Sequence, residues 1–177
     1  MKRWLLMLMV VFLSWNAADA ATKQQIDMCL ASAAQKYDIH KDLLAAIAEV
    51  ESGMDPQALG KNKDGTEDIG LMQINSRWLP VLAKYGVQRR DLFDPCVSAH
   101  VGAWILAQNI ARYGNTWRAV GAYNAASEEK RLAYAQRVAF TMKRIHDEAF
   151  VPVPSKKLSK ARQARLVLRV IGEQQNT

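Results

Sequence analysis

The sequence predicts a mainly α-helical domain over residues 21–150, and three observations support that fold class. Apolar residues recur at the three-to-four-residue spacing of helices along most of this stretch. Glycines and prolines stand at the ends of these segments, where they stop helices. The alternation of apolar and polar residues that marks strands is too weak over 57–69 for more than a short hairpin beside the helices.

Two helices are predicted at the start of this domain. Residues 22–37 form the first, with Thr22 as a plausible N-cap, because their apolar side chains recur at helical spacing. A second helix over 41–51 is stopped by Gly53 and Pro56, which do not continue a helix. The apolar positions of the first helix are Ile26, Cys29, Leu30, Ala33 and Tyr37.

Four more helices follow the polar, turn-rich stretch at 57–69. Asn75 or Ser76 caps a short helix that ends before Gly86, and Pro95 in a first turn opens a long apolar one. The predicted bounds are 76–85, 95–113 closed by Gly114, 116–123 beginning at Thr116, and 128–150 capped by Ser127.

The first twenty residues have the pattern of a secretory signal peptide. Lys2 and Arg3 form a basic start, residues 4–13 are an unbroken apolar run, and Ala-Asp-Ala at 18–20 is a typical cleavage site. We therefore predict a signal peptide over 1–20, cleaved after Ala20. The alternative is an uncleaved membrane-anchoring helix. No later segment is long and apolar enough to cross a membrane, so no span is expected after cleavage.

The basic character of the chain lies mainly in its last part. The formal net charge is +7, and six Lys and Arg against one Glu give residues 155–177 a net +5. The body over 21–154 carries only +1, which argues against a nucleic-acid groove in the folded domain. Val-Pro-Val-Pro at 151–154 predicts a linker before the tail. A basic tail suits an anionic polymer, a membrane surface or a partner protein, or is simply solvated.

Two cysteines, Cys29 and Cys96, remain in the predicted mature chain. An even count in an exported protein favours a disulfide. The alternative is two buried free thiols. A bridge closing a loop of this length stabilises a fold by roughly 4 kcal/mol in the chain-entropy model.

Two glutamates near the end of the second helix are the first candidates for chemistry. Residues four and seven positions apart share a helix face, which places Glu51 with the apolar Ile47 and Leu44. The same geometry places Glu49 on the polar face. A carboxyl held against apolar neighbours has a raised pKa, as a general acid near neutral pH requires. The alternative is a structural glutamate with a basic partner.

A second carboxylate, Asp68, follows the predicted turn, and loops and strand ends commonly carry functional polar residues. Glu67 and Asp64 compete for this role on composition alone. An acid and a second carboxylate are the groups that cleave glycosidic bonds. The three histidines have no metal-ligand spacing, and neither a nucleophile elbow nor a phosphate-binding glycine loop occurs, so neither metal nor cofactor is expected.

Four ordered motifs resemble the soluble lytic transglycosylase family over roughly residues 25–145. They are Glu-Ser at 51–52, Gly-Leu-Met-Gln-Ile at 70–74, Ala-Tyr-Asn-Ala at 122–125, and Tyr134 with Val138. The stretches at 68–78, 94–96 and 101–106 are similar to one branch of that family, the small transglycosylases of type III secretion, type IV pilus and conjugation systems. This branch also supports a bridge between Cys29 and Cys96.

The resemblance implies a lysozyme-like fold and peptidoglycan as substrate, acted on in the bacterial periplasm. Glu51 would protonate the oxygen leaving N-acetylmuramic acid, then take the proton of the C6 hydroxyl as a 1,6-anhydro ring closes. Ser52 and Tyr134 would support Glu51, and Gln73, beside Met72, would line the sugar cleft. The cleft would also contain Tyr123 and Asn124. The tail over 155–177 would dock to a secretion, pilus or conjugation apparatus.

Two departures from the family pattern leave alternatives. Asp68 lies seventeen residues after Glu51, as in the segment that carries the second carboxylate of c-type lysozymes, which makes a true hydrolase an alternative. Ala126 stands where many members have glycine, so the turn is altered or the preceding helix continues through it. This departure is the one feature of the core that favours a largely non-catalytic peptidoglycan-binding assembly factor.

Overall fold

The computed structural model describes residues 23–149. The predicted signal peptide, the Thr22 cap and the basic tail lie outside the described residues, and so does the linker. By its contacts the chain divides into two units, Met1–His146 and Asp147–Thr177. The described part of the second unit is residues 147–149, which are helical.

Six α-helices form most of the described chain, which confirms the mainly α fold class. Most of the predicted helix starts and stops are also found. Three further stretches, Ser76–Trp78, Ala83–Tyr85 and Arg89–Phe93, are 3-10 helices, so the predicted helix over 76–85 is α-helical only at Leu79–Leu82. The α-helices are α1 over 23–37, α2 over Lys41–Ser52, α3 over Leu79–Leu82, α4 over Pro95–Tyr113, α5 over Trp117–Asn124 and α6 over Glu128–Ala149.

Local capping explains where these helices begin and end. Gly53, with φ 63°, ends α2 in the left-handed conformation that glycine adopts without strain. The Asp94 carboxylate accepts the Cys96 and Val97 N–H groups at the start of α4. The Asn75 side chain accepts the N–H of Arg77 and opens a 3-10 turn that leads into α3.

A small antiparallel sheet lies between α2 and α3 in the chain. Its strands are β1 over Leu59–Lys61, β2 over Glu67–Ile69 and β3 over Ile74–Asn75, in the order β1-β2-β3. Asp68 in β2 is paired with Gly60 of β1 and Asn75 of β3. The sequence predicted the hairpin of β1 and β2 but not β3, because a strand of two residues leaves no alternating pattern.

The hydrophobic core is formed mainly by α1, α2 and α4. Five consecutive residues of α2, from Leu44 to Ala48, are buried. Gly102 of α4 packs against Met72, since a Cβ there would lie 2.7 Å from the Met72 side chain. Each large apolar side chain buried in such a core contributes roughly 1.5–3 kcal/mol.

A disulfide joins Cys29 of α1 to Cys96 in the first turn of α4, which confirms the predicted bridge. The Cα atoms of the two cysteines are 4.5 Å apart. The bond links two elements separated by 67 residues of sequence. None of the helices within residues 23–149 is long and apolar enough to span a membrane.

Candidate active site

A cleft of about 900 Å³ opens between the end of α2, the small sheet and α5. It brings together Glu51, Asp68, Gln73, Tyr123 and Asn124, five of the residues singled out in the sequence. Trp78 also lines the cleft and packs edge-to-face on Trp104, so it combines a structural contact with exposure to the cavity. No group of His, Cys, Asp and Glu that could hold a metal ion occurs in the described part of the chain.

Glu51 is half-buried in the last turn of α2, and its carboxyl group faces this cleft. The hydroxyl of Tyr134 donates a hydrogen bond of 2.6 Å to its Oε1. Burial raises the pKa of Glu51; the Tyr134 hydrogen bond lowers it and the negative charge of Asp68 raises it again. The net shift is upward, which confirms the predicted raised pKa.

Tyr134 is 1% exposed, so its hydroxyl has little access to water. Burial, followed by the charge of Glu51, raises the pKa of Tyr134 far above its usual value, which keeps the phenol protonated as a donor. The guanidinium of Arg137 lies 5.6 Å from the centre of the Tyr134 ring. The charge of Arg137 also lowers the pKa of Glu51, and no pattern in the sequence pointed to this residue.

The neighbouring glutamate has a different environment. Glu49 forms an ion pair with Arg144, with 3.2 Å between Oε1 and Nη2, on the outside of the helix pair. Its side chain is 35% exposed. For Glu51 the alternative to a catalytic role was a structural glutamate paired with a basic side chain. That description fits Glu49.

Asp68 points into the cleft from β2 between two asparagines. Asn62 donates to its Oδ2 at 2.9 Å and Asn75 donates to its Oδ1 at 2.8 Å. Each carboxylate oxygen thus accepts a side-chain amide, which fixes the orientation of the group. Asn62 was not singled out in the sequence, and Asn75 was singled out only as a helix cap.

The two competing carboxylates are paired with arginines. The Arg89 hydrogen bond, 2.8 Å long, holds the pKa of Glu67 below its usual value. Asp64 accepts hydrogen bonds from Thr66, which lower the pKa of Asp64, and forms an ion pair with Arg77. Within the described residues Asp68 has no such cation, so it is the candidate whose charge is presented to the cleft.

Ser52 and Met72 contribute to the site through hydrogen bonds that involve the backbone of the segment at 70–73. The Ser52 hydroxyl lies 2.8 Å from the Leu71 carbonyl oxygen and 3.2 Å from that of Ala48, and so joins α2 to the segment at 70–73. Met72 is fully buried, and its side chain packs in the core rather than lining the cleft. Its N–H donates to the buried Ser98 hydroxyl at 3.1 Å, a contact the sequence did not suggest.

Gln73 ends a tight turn that begins at Gly70. Gly70 has φ 73°, and a Cβ there would lie 2.0 Å from the carbonyl oxygen of Leu92, so only glycine fits. Gln73 itself has a positive φ of 46°, which is uncommon outside glycine and is often found at functional sites. Its amide donates to the Gly70 carbonyl at 2.9 Å.

Tyr123 and Asn124 are the last two residues of α5. The Tyr123 hydroxyl donates to the Met72 carbonyl at 2.9 Å, and burial beside Glu51 and Asp68 raises the pKa of Tyr123 well above its usual value. α5 ends at Asn124, and Ala125 is extended with φ −137°, so the helix does not continue through Ala126. Arg131 donates to the Ala125 carbonyl at 2.9 Å and holds this turn.

Comparisons with known proteins agree with this architecture. The transglycosylase SLT domain family matches residues 28–145. Invasion protein IagB of Salmonella typhimurium is 46% identical over 112 residues, covering 63% of this chain and 70% of the relative. X polypeptide of Escherichia coli is 38% identical over 145 residues, 78% of this chain and 82% of that protein. Protein IpgF of Shigella flexneri is 40% identical over 115 residues, which cover 62% of this chain and 76% of that protein.

A solved structure shows the same fold. It is an inactive mutant of the lytic transglycosylase Slt from Pseudomonas aeruginosa, matched with a TM-score of 0.58 at 22% identity. The match covers 72% of this chain and 25% of that one, so it concerns the domain fold alone. The family match over residues 28–145, together with the relatives, shows that the chain belongs to the transglycosylase SLT domain family.

Proposed function

We propose that this protein is an exported lytic transglycosylase that uses Glu51 as both acid and base on peptidoglycan. The observation that carries the proposal is the Glu51 carboxyl itself. It is half-buried, has a raised pKa, receives the Tyr134 hydrogen bond and faces a cleft lined by polar side chains. A carboxyl of this kind is protonated near neutral pH more often than an exposed one, as a general acid requires.

The chemistry consists of two proton transfers through one carboxyl group. Glu51 first donates its proton to the glycosidic oxygen as the β-1,4 bond between N-acetylmuramic acid and N-acetylglucosamine breaks. The carboxylate then accepts the proton of the muramic acid C6 hydroxyl, whose oxygen bonds to the anomeric carbon. The product carries a 1,6-anhydro ring, Glu51 regains its proton, and no water is consumed.

Asp68 supplies negative charge in the same cleft. The bond breaks through a sugar that carries partial positive charge, which a nearby carboxylate stabilises. The two asparagine amides hold Asp68 toward the cleft in one orientation. This arrangement also favours the second candidate function, a lysozyme-like hydrolase in which water is the final acceptor.

Product mass separates the two candidate functions. A hydrolysed muramic acid end is heavier by one water than a 1,6-anhydro end. Mass spectrometry of a digest of purified sacculi by the wild-type protein is expected to show anhydro ends. A digest with only reducing muramic acid ends would instead support the hydrolase.

The cellular role is proposed from the relatives. One of them carries the name of an invasion protein, and the signal-peptide pattern over 1–20 predicts export to the periplasm. We propose that the enzyme opens the cell wall locally for a secretion, pilus or conjugation apparatus, with residues 155–177 as the docking element. Deletion of 155–177 is expected to leave lysis of sacculi intact but to abolish recruitment to the apparatus; unchanged recruitment would refute the docking role.

A matched pair of variants tests the role of Glu51. Glu51→Gln keeps the size of the side chain but removes the proton it transfers, so release of anhydromuropeptides from sacculi is expected to fall at least about a hundredfold. Glu49→Gln changes the neighbouring glutamate outside the cleft and is expected to retain activity. Undiminished release by Glu51→Gln would refute the assignment.

A further inference from the structure

The turn that follows α5 is held by a side chain from α6. Arg131 donates its Nε–H to the carbonyl oxygen of Ala125 at 2.9 Å. The Arg131 side chain is only 15% exposed, so little water competes for that carbonyl. None of residues 124–127 has a positive φ, so the turn that contains Ala126 requires no glycine. A side-chain contact, rather than the backbone freedom of glycine, therefore fixes this turn.

Backbone packing joins α5 and α6 at the same arginine. A Cβ at Gly121 of α5 would lie 2.5 Å from the carbonyl oxygen of Arg131 and 2.7 Å from its Cβ, so the two helices touch closely here. Gly121 also accepts the N–H of Ala125 at 3.2 Å. The end of α5 is thus held against α6 at two points, Gly121 and Ala125, and Arg131 makes both contacts.

Arg131 is itself held by an aromatic ring and a carboxylate. Its guanidinium lies 5.1 Å from the centre of the Tyr113 ring, and its Nη2 donates to the Tyr113 hydroxyl at 3.4 Å. Arg118 lies 5.2 Å from the centre of the same ring. Glu128 forms ion pairs with both arginines, at 3.2 Å from Arg118 and 3.5 Å from Arg131. The cluster joins the end of α4 to α5 and α6 and restricts the Arg131 side chain.

Asn124 is the residue that this turn places at the catalytic cleft. It is the last residue of α5 and lines the cleft together with Glu51. A hydrogen bond from its side chain lowers the pKa of Glu51. Tyr123, the other cleft residue of α5, stays protonated because burial raises its pKa. The end of α5 thus acts on the carboxyl group through Asn124.

The other groups that act on Glu51 come from α6 and the sheet. Tyr134 donates to its carboxyl group, the negative charge of Asp68 raises its pKa, and the positive charge of Arg137 lowers it. Within residues 23–149, the charge of Arg131 is not among the causes of the Glu51 shift. A change at Arg131 therefore reaches Glu51 through the placement of a neighbour rather than through lost charge.

We propose that Arg131 is a positioning residue, which places Asn124 against the catalytic carboxyl and the bound glycan by holding the turn after α5. The proposal rests on the proposed function, because it gives Asn124 a part in the reaction at Glu51. Arg131 does not line the cleft. Its effect on the reaction passes through the backbone at Ala125.

The variant Arg131→Met tests this role, since it keeps an unbranched side chain but removes every donor. The turn is expected to loosen, so Asn124 loses its hydrogen bond to Glu51 and the alkaline limb of kcat/KM moves to higher pH. KM for soluble glycan strands is expected to rise about threefold or more, the loss of one hydrogen bond in the cleft. Arg118→Met is the matched control: Arg118 contacts the same ring and carboxylate but not the Ala125 carbonyl, so its alkaline limb is expected to stay at the wild-type pH.

A double variant separates positioning from a general loosening of the fold. Asn124→Ala alone is expected to move the alkaline limb to higher pH, and adding Arg131→Met is expected to move it no further. A further shift in the double variant, or an unshifted limb in Arg131→Met, overturns the proposal. If circular dichroism shows Arg131→Met to be unfolded, Arg131→Lys takes its place. A lysine keeps the charge but lacks the planar fork that serves Ala125 and Tyr113 together, so a smaller shift in the same direction is expected.

A titration of the carboxyl group itself requires no turnover. NMR of protein isotope-labelled at its glutamate carboxyl groups measures the pKa of Glu51, with Glu51→Gln used to assign the signal. This pKa is expected to be higher in Arg131→Met than in the wild type, and equal values would contradict the positioning role. Wild-type protein that releases no anhydromuropeptides refutes the proposed function, whereas the pKa comparison still decides whether Arg131 places Asn124.

Discussion

Glu49 and Glu51 are two residues apart on one helix, yet their carboxyl groups have opposite surroundings. Glu49 pairs with Arg144, whereas the half-buried Glu51 accepts a hydrogen bond from Tyr134 and faces the cleft. Helix geometry alone predicted this difference, because Glu51 shares its face with Leu44 and Ile47, both fully buried. Helix geometry therefore separated the two carboxyl groups by their surroundings, whereas the proposed role of Glu51 as the acid came from the family resemblance.

The Tyr134→Phe variant is expected to shift the pH dependence of kcat/KM. The Tyr134 hydrogen bond lowers the pKa of Glu51, so its removal raises that pKa further. In the proposed mechanism activity requires protonated Glu51 and declines as pH rises through its pKa, so the alkaline limb is expected to move to higher pH. The lost hydrogen bond also costs about 1–2 kcal/mol of stability, measurable by urea unfolding. An alkaline limb at unchanged pH would contradict this role of Tyr134.

The Asp68→Asn variant is expected to shift the same limb in the opposite direction. The negative charge of Asp68 raises the pKa of Glu51, so neutralising it lowers that pKa. Glu51 then loses its proton at a lower pH, and the alkaline limb of the kcat/KM profile moves to lower pH. Asn62→Ala is a useful comparison, because it loosens Asp68 but leaves its charge. A shift to higher pH in Asp68→Asn would be inconsistent with this charge effect.

The partners of these carboxyl groups were not predictable from the residues alone. Tyr134 lies 83 residues from Glu51 in the chain and was identified only through the family resemblance. Asn62, Asn75 and Arg137 reach the site through strand pairing and helix packing, which no local spacing records. The sequence thus identified the candidate carboxyl groups better than the side chains that contact them.

The segment at 70–73 is held by side chains from three helices. Ser52 of α2 contacts the Leu71 carbonyl, Ser98 of α4 accepts the Met72 N–H, and Tyr123 of α5 donates to the Met72 carbonyl. These contacts fix the backbone that places Gln73 in the cleft. The helices therefore position a short segment that has little regular structure of its own.

The Ser98→Ala variant tests this support. Ser98 is fully buried, so its loss leaves the Met72 N–H without a partner away from water. An unsatisfied buried donor costs about 1–3 kcal/mol, and the urea midpoint is expected to fall accordingly. A change in unfolding free energy of less than about 0.5 kcal/mol would show that the contact is dispensable.

The helical elements were easier to predict than the extended and 3-10 ones. Gly53, Asn75, Pro95 and Thr116 mark helix ends through local chemistry, and the structure has helix ends at each of them. The 3-10 helix at Arg89–Phe93 was missed because five residues carry no helical period. β3 was missed for the same reason, since its pairing with β2 is a tertiary interaction.

At the scale of the molecule, the disulfide links the first described helix to the longest apolar one. Replacing both Cys29 and Cys96 with alanine is expected to lower the free energy of unfolding by about 4 kcal/mol, because the bridge spans 67 residues of sequence. Chemical unfolding of the variant and of the oxidised wild type measures the difference. Equal unfolding midpoints for these two proteins would contradict the expected contribution.

The burial of Glu51 places catalysis and folding stability in opposition. Its pKa is raised in the folded state above the unfolded value, so the folded form binds this proton more tightly. The contribution to stability is fully present below the unfolded pKa and is lost as pH rises through the folded pKa. Near neutral pH the fold therefore bears the cost of the partly buried carboxyl, and Glu51→Gln, which is expected to reduce activity, is also expected to relieve that cost.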